Sequence, residues 1–137
     1  MRIVLDTNVL VAGLLSPFRP PGEIVRMVSS GELTLCLDAR VLSEYAEVLG
    51  RPKFGFDADP VAALLDHVED LGHVVASSPL PEALPDPDDE PFVEVALASG
   101  AEYLVTGNRA RFPDPLCRGV VVLSPAEFVE AYRRSST

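Results

Sequence analysis

The chain has 137 residues, 47% hydrophobic and 23% charged, which suits one globular domain spanning residues 1–137 and excludes fibrous or disordered classes. Its formal net charge of −10, from 11 basic and 21 acidic residues, excludes a protein that coats nucleic acid with a basic surface, but not one that meets phosphate through a cation held on carboxylates. No stretch approaches the roughly 20 apolar residues of a membrane span, and Met1-Arg2 runs straight into a strand-like segment with no signal-peptide core, so a cytoplasmic protein without a membrane partner is expected.

Arg2 to Leu5 is a short β-branched run that reads as a strand, followed at once by Asp6. A helix is predicted over Val9 to Leu15, ended by Ser16-Pro17, and a second over Glu23 to Ser30, with Gly31 as its C-cap. Leu33 to Leu37 reads as a buried strand, and Asp38 as the N-cap of a helix over Ala39 to Leu49. A further helix follows over Pro60 to Leu71, then a strand at Val74 to Ala76 and a proline- and acid-rich loop from Ser77 to Pro87. Asp88 or Asp89 opens the next helix, which runs to Ser99 and stops at Gly100. Tyr103 to Val105 and Val120 to Leu123 are the last two strands, the first followed by a Thr106-Gly107-Asn108 turn. Ser124-Pro125-Ala126-Glu127 is a capping-box signature for the final helix. Cys36 and Cys117 lie far apart with no Cys-x-x-Cys pair, so neither a disulfide framework nor a zinc site is expected.

Short apolar strands alternating with helices imply a parallel sheet covered on both faces. Ligands in such sheets bind outside the carboxyl ends of the strands, which directs attention to Asp6, Asp38, the Thr106–Asn108 turn and Ser124. A lone Asp at position 6 would be an ordinary helix cap; further acids at the same sheet edge change its meaning. In the third helix, Glu44 falls at the margin of the apolar stripe of Val41, Leu42, Tyr45, Val48 and Leu49, while Glu47 falls on the solvated side. In Asp86-Pro-Asp-Asp-Glu-Pro-Phe92, the spacing turns Asp89 towards the stripe of Phe92, Val93, Ala96 and Leu97, leaves Asp88 as the cap, and points Glu90 and Glu94 outward. Three converging carboxylates repel unless a cation intervenes. Hard oxygen ligands with no His or Cys cluster suit Mg²⁺ or Mn²⁺, and such a site activates water against a phosphodiester. Arg109 and Arg111 follow the strand-four turn and are candidate phosphate contacts; Arg51 and Lys53 form a second basic pair. The apolar surplus in Val9 to Ser30 points to a symmetric homodimer.

The segments Ile3-Val-Leu-Asp-Thr-Asn-Val-Leu10, Leu42-Ser-Glu-Tyr-Ala-Glu-Val-Leu49, Asp86-Pro-Asp-Asp-Glu-Pro-Phe92 and Tyr103-Leu-Val-Thr-Gly-Asn108 resemble, in order, those of the PIN-domain family, in its toxin-like group related to VapC of toxin–antitoxin pairs. The resemblance implies a three-layer α/β/α sandwich with a five-stranded, mostly parallel sheet. It implies a Mg²⁺- or Mn²⁺-dependent ribonuclease acting on RNA, with Asp6, Glu44 and Asp89 as metal-binding and catalytic acids, supported by Asp88, Thr106 and Asn108. It also implies a cognate antitoxin and commonly a homodimer. One departure stands out: many members carry a fourth acid where this chain has Asn108, so one well-occupied metal site is expected, with Asn108 either orienting a water or holding Asp6.

Competing architectures lack their markers. A receiver domain needs an Asp after strand three and a Lys near the last strand, and Val75-Ala-Ser-Ser78 and Leu123-Ser-Pro125 supply neither. A haloacid-dehalogenase-type phosphatase needs Asp-x-Asp, where this chain has Asp6-Thr7-Asn8, and no Walker motif is present. The remaining alternative is a non-catalytic PIN-like module that binds RNA or protein.

Overall fold

Five apolar runs pair into one sheet, seen in a computed structural model that describes residues 1–135. β1 (Arg2–Leu5) lies between β2 (Thr34–Leu37) and β4 (Tyr103–Val105), with β3 (His73–Val74) and β5 (Val122–Leu123) at the edges. Every pairing is parallel, giving the order β3-β2-β1-β4-β5. Ile3 stands opposite both Leu35 and Tyr103, and Leu5 opposite Val105, so the strands end together and their carboxyl ends form one edge. The chain moves outward through β2 to β3, then returns across the sheet to β4.

The helices are α1 (Thr7–Leu15), α2 (Pro20–Ser30), α3 (Ala39–Leu49), α4 (Ala58–Leu71), α5 (Glu90–Ser99) and α6 (Pro125–Ser135). Parallel crossovers are right-handed, so the return through α5 places it on the face opposite the helices that link β1 to β2 and β2 to β3. α5 packs along β1, β2 and β4, while α2 packs against α1, α4 and α6. This is the three-layer α/β/α arrangement expected from the sequence.

Local chemistry sets the boundaries. The Asp38 carboxylate accepts the Val41 amide at 3.0 Å and starts α3. Ser124 and Glu127 exchange side-chain-to-backbone bonds of 3.1 and 2.9 Å, the capping box predicted for α6. Two glycines let α1 and α2 touch: a Cβ on Gly13 would meet the Pro21 carbonyl oxygen at 2.8 Å, and one on Gly22 would meet that of Pro17 at 2.1 Å.

Several boundaries and orientations differ from the sequence reading. α1 begins at Thr7 rather than Val9, because Thr7 and Asn8 carry no apolar signal. α2 begins at Pro20, where the missing amide of a first-turn proline costs nothing. β3 is displaced to His73–Val74, and β5 covers only Val122–Leu123 of the four residues expected. Asp86, not Asp88, caps the turn before α5: its carboxylate accepts the Asp88 amide at 2.9 Å. Glu94 does not point to solvent but is 6% exposed, and Leu97, assigned to the core stripe, is 42% exposed. The reason is that α5 is covered twice. The sheet takes one side, and the loop after β3 folds over the other, where the Leu80 amide donates to Glu94 and the Leu84 amide to Glu90.

Candidate active site

β1 delivers Asp6 to the centre of the carboxyl edge. Its backbone N–H donates to the Val105 carbonyl at 2.9 Å, which ties it to the end of β4. The next residue of β4's own chain, the buried Thr106, donates its hydroxyl to Asp6 Oδ2 at 2.8 Å. The strand order reverses between β1 and β4, the place where open parallel sheets bind ligands.

Glu44 arrives from α3. The rotation of that helix is fixed by Tyr45, which is fully buried and donates its hydroxyl to the Leu5 carbonyl at 2.6 Å. One residue earlier, the half-buried Glu44 accepts a hydrogen bond from the Thr7 hydroxyl. Asp6 and Glu44 thus line one cleft of about 290 Å³, with Asn8, Arg51, Asp86, Asp88 and Arg111 around them. Asn8 Oδ1 accepts the Gly107 amide at 3.2 Å and so holds the turn after β4 against α1.

Asp89 comes from the other face, at the end of a 3₁₀ turn (Pro87–Asp89), and is 1% exposed. Its carboxylate is gripped by both arms of the Arg111 guanidinium: Nε donates to Oδ2 at 2.9 Å and Nη2 to Oδ1. Arg109, two residues earlier, points elsewhere and pairs with Glu127 at 3.1 Å. Asn108 is exposed, and only its backbone amide reaches inward, to Thr106 Oγ1 at 3.0 Å. Holding Asp6, one of two roles considered for the Asn108 side chain, falls instead to Thr106.

The charges are under strain. Burial pushes the Asp6 carboxyl above the ordinary carboxylate range, opposed by the Thr106 hydrogen bond, the Arg111 charge and the nearby amides of Thr7 and Asn8. Burial likewise raises Asp89, against the pull of Arg111, and the neighbouring Asp6 and Asp86 add to the rise. Desolvation opposes the Arg111 charge, but Asp89, Asp6 and Asp86 outweigh it and hold the guanidinium firmly protonated.

The PIN domain matches this chain over residues 2–110, which include every strand but β5 and all of Asp6, Glu44 and Asp89. The chain belongs to the PIN-domain family. One solved structure similar to this PIN domain is the crystal structure of VapBC2 from Rickettsia felis bound to a DNA fragment from their promoter: TM-score 0.59 at 15% identity, covering 90% of this chain and 98% of that one. At that identity the likeness shows the fold alone. No curated protein gives a significant match. PIN domains are typically nucleases and generally use divalent metal ions.

The donors in this PIN domain have the chemistry for such an ion. The cleft offers carboxylate and amide oxygens from Asp6, Glu44 and Asn8, and no thiol or imidazole. Asp6 forms no salt bridge among the described residues; its buried carboxylate is met by the Thr106 hydroxyl and nearby amides, with no cation in direct contact. Yet no group of three or more His, Cys, Asp or Glu among the described residues is gathered closely enough to hold a metal. Asp6 and Glu44 meet at the cleft; Asp89 is turned to Arg111.

Sequence reasoning missed four supports. Tyr45 counted only as core, although a buried phenol needs a partner for its hydroxyl. Thr7 and Asn8 carried no signal of their own beyond their place beside Asp6. Arg40 went unremarked, yet it bridges Asp38 at 2.7 Å and Glu94 at 2.7 Å and also donates to Ser77 at 2.8 Å, fastening the loop after β3 to α3 and α5. Its Asp38 partner is pushed up by burial, but the Val41 amide and Arg40 prevail and hold it below the usual range.

Proposed function

We propose that this PIN domain is a divalent-metal-dependent endoribonuclease, the toxin of a toxin–antitoxin pair, with Mg²⁺ or Mn²⁺ held by Asp6, Glu44 and Asp89. The observation that carries the reading is the Asp6–Glu44 cleft at the point where the strand order reverses, in a chain whose family is typically nucleolytic. When bound, the ion lowers the pKa of a water and neutralises charge on a scissile phosphate. The chain's own residues prepare the rest. Thr106 fixes one oxygen of Asp6, and Tyr45 and Thr7 together orient Glu44. Arg51 and Arg111 line the same cleft as cations for an RNA backbone in an otherwise acidic chain.

We assign the partners to the outer surface of the helices. An apolar groove lined by Leu14, Val25, Phe56, Val61 and Leu64 runs between α2 and α4, of a kind that takes an amphipathic helix, and we assign it to the antitoxin. Phe18, 96% exposed beside Leu15 at the α1–α2 turn, is our candidate contact for a homodimer. No helix among the described residues is long and apolar enough to cross a membrane. On the toxin–antitoxin reading, we place the protein in the cytoplasm.

The test is cleavage of a mixed RNA pool with Mn²⁺ or Mg²⁺ by the parent, Asp6→Asn, Glu44→Gln and Asp89→Asn. Cleavage by the parent that EDTA abolishes and each variant loses, with circular dichroism unchanged, is the expected result. Cleavage insensitive to EDTA, or full activity in Asp6→Asn, overturns the metal assignment. No cleavage by the parent under any ion leaves a PIN fold that binds RNA or protein without cutting.

A further inference from the structure

The buried Asp89 carboxylate lies behind Arg111, which lines the Asp6–Glu44 cleft while Asp89 does not. Arg111 takes both of its oxygens, and the same guanidinium is the cation whose field reaches Asp6. Arg111 itself is only half covered, with its side chain 36% exposed, and stands on a short 3₁₀ turn (Arg109–Arg111) rather than on a strand or long helix. A guanidinium fork and a divalent ion compete for the same carboxylate oxygens, because each supplies the positive charge that a buried carboxylate requires. Asp89, at 1% exposure, is the covered member of the pair; Arg111, at 36%, is the one with room to move.

We propose that Arg111 is a resident counter-cation that a divalent metal must displace from Asp89, so that it sets the metal affinity of the site. The inference rests on the metal reading above and adds to it a threshold built into the chain. Without metal, Arg111 pairs with the buried Asp89 carboxylate and offsets part of the cost of its burial. A bound ion would supply that charge in its place, and the guanidinium, on a side chain 36% exposed, would turn from Asp89 towards solvent. The protein therefore binds its ion less tightly than the carboxylates alone would, in exchange for a metal-free state without a naked buried charge.

The experiment is calorimetric titration of Mn²⁺ into the full chain without RNA, for the parent, Arg111→Gln and Arg111→Lys, with the Asp89→Asn variant as reference. A companion measurement follows the ¹⁵Nε–H resonance of Arg111, identified by its loss in Arg111→Gln, as Mg²⁺ is added to the parent. Expected are a dissociation constant at least about tenfold lower in Arg111→Gln than in the parent, an intermediate value in Arg111→Lys, and a shifted or broadened Nε–H signal that tracks Mg²⁺ occupancy. Equal affinity in parent and Arg111→Gln, or weaker binding in the variant, overturns the displacement while leaving the metal site standing. So does an Arg111 signal that ignores Mg²⁺ while calorimetry shows it bound. If Arg111→Gln does not fold, Arg111→Lys and the resonance carry the decision. Absence of binding in every protein, with Asp89→Asn indistinguishable from the parent, removes both the metal reading and this inference.

Discussion

Glu94 is the acid whose surroundings differ most from what its spacing promised, and its replacement has a calculable effect. The carboxylate accepts from Arg40 Nη1 at 2.7 Å and from the Leu80 amide at 3.1 Å, at 6% exposure. Glu94→Gln keeps an oxygen for the Leu80 amide and loses only the charge towards Arg40. Because the Arg40 side chain is 50% exposed, solvent screens that pair, and about 0.5–1 kcal/mol is the expected loss. Glu94→Ala also strands the Leu80 amide and the Arg40 arm, which adds about 1–3 kcal/mol and brings the total to about 1.5–4 kcal/mol. In a chain of 137 residues the unfolding entropy near the midpoint is about 0.3 kcal/mol per kelvin. The expected fall in Tm is then about 2–3 °C for Gln and about 5–13 °C for Ala. Differential scanning fluorimetry gives the two values, and limited proteolysis reports whether cleavage appears first in the segment 75–86 that Glu94 fastens. An Ala variant that melts within about 2 °C of the parent refutes the argument that Glu94 and Arg40 clamp this loop.

Three further outcomes follow from the same geometry. Asp6→Asn should melt higher than the parent at pH 7 in EDTA. The folded-state pKa of Asp6 is raised, so the parent loses stability as pH climbs from about 4, the unfolded value, through the raised one; Tm against pH for both proteins checks it, and a lower Tm for the variant at pH 7 sinks it. Gly22→Ala should cost about 2 kcal/mol or more, because the new methyl meets the Pro17 backbone carbonyl rather than a flexible side chain; a chemical denaturation midpoint equal to the parent's would contradict this. Tyr45→Phe should cost about 1–2 kcal/mol for the buried hydrogen bond to Leu5. Through the loosened seat of Glu44 it should also lower RNase turnover more than RNA affinity, and unchanged kcat with unchanged Tm refutes the anchoring role.

What the sequence disclosed and what it hid divide along physical lines. The strands were legible because each is a short, wholly apolar run, which only burial on both faces explains. The parallel order then carried Asp6 and Thr106 to one edge without any knowledge of contacts. Glu44 was legible because α3 has a one-sided stripe, with Val41, Tyr45 and Leu49 inside and Glu47 outside. α5 defeated the same method. Helical periodicity assumes one dry side and one wet side, and a helix roofed by a loop has two dry sides, so Glu94 was placed outside and Leu97 inside. Arg111 shows a different limit. It was marked as a cation near the cleft, which is where it lies, but whether a cation near three acids greets a substrate or occupies one of the acids depends on pairings that no spacing encodes.

Both rims of the sheet are strands of only two residues, β3 and β5. So short a rim exposes too few unpaired amides and carbonyls to template a foreign strand, which protects the chain against stacking edge to edge with its own copies. The same brevity decides how this molecule can be recognised. A partner cannot extend the sheet by backbone pairing, which is largely indifferent to side chains; it has to read the shape and charge of the helices instead. For a partner docked in the α2–α4 groove proposed above, choice would rest on a few surface side chains of α1, α2 and α4, which can be exchanged without touching the strands that carry Asp6. On the toxin–antitoxin reading proposed above, exchanging them would change the partner while leaving the sheet and Asp6 in place.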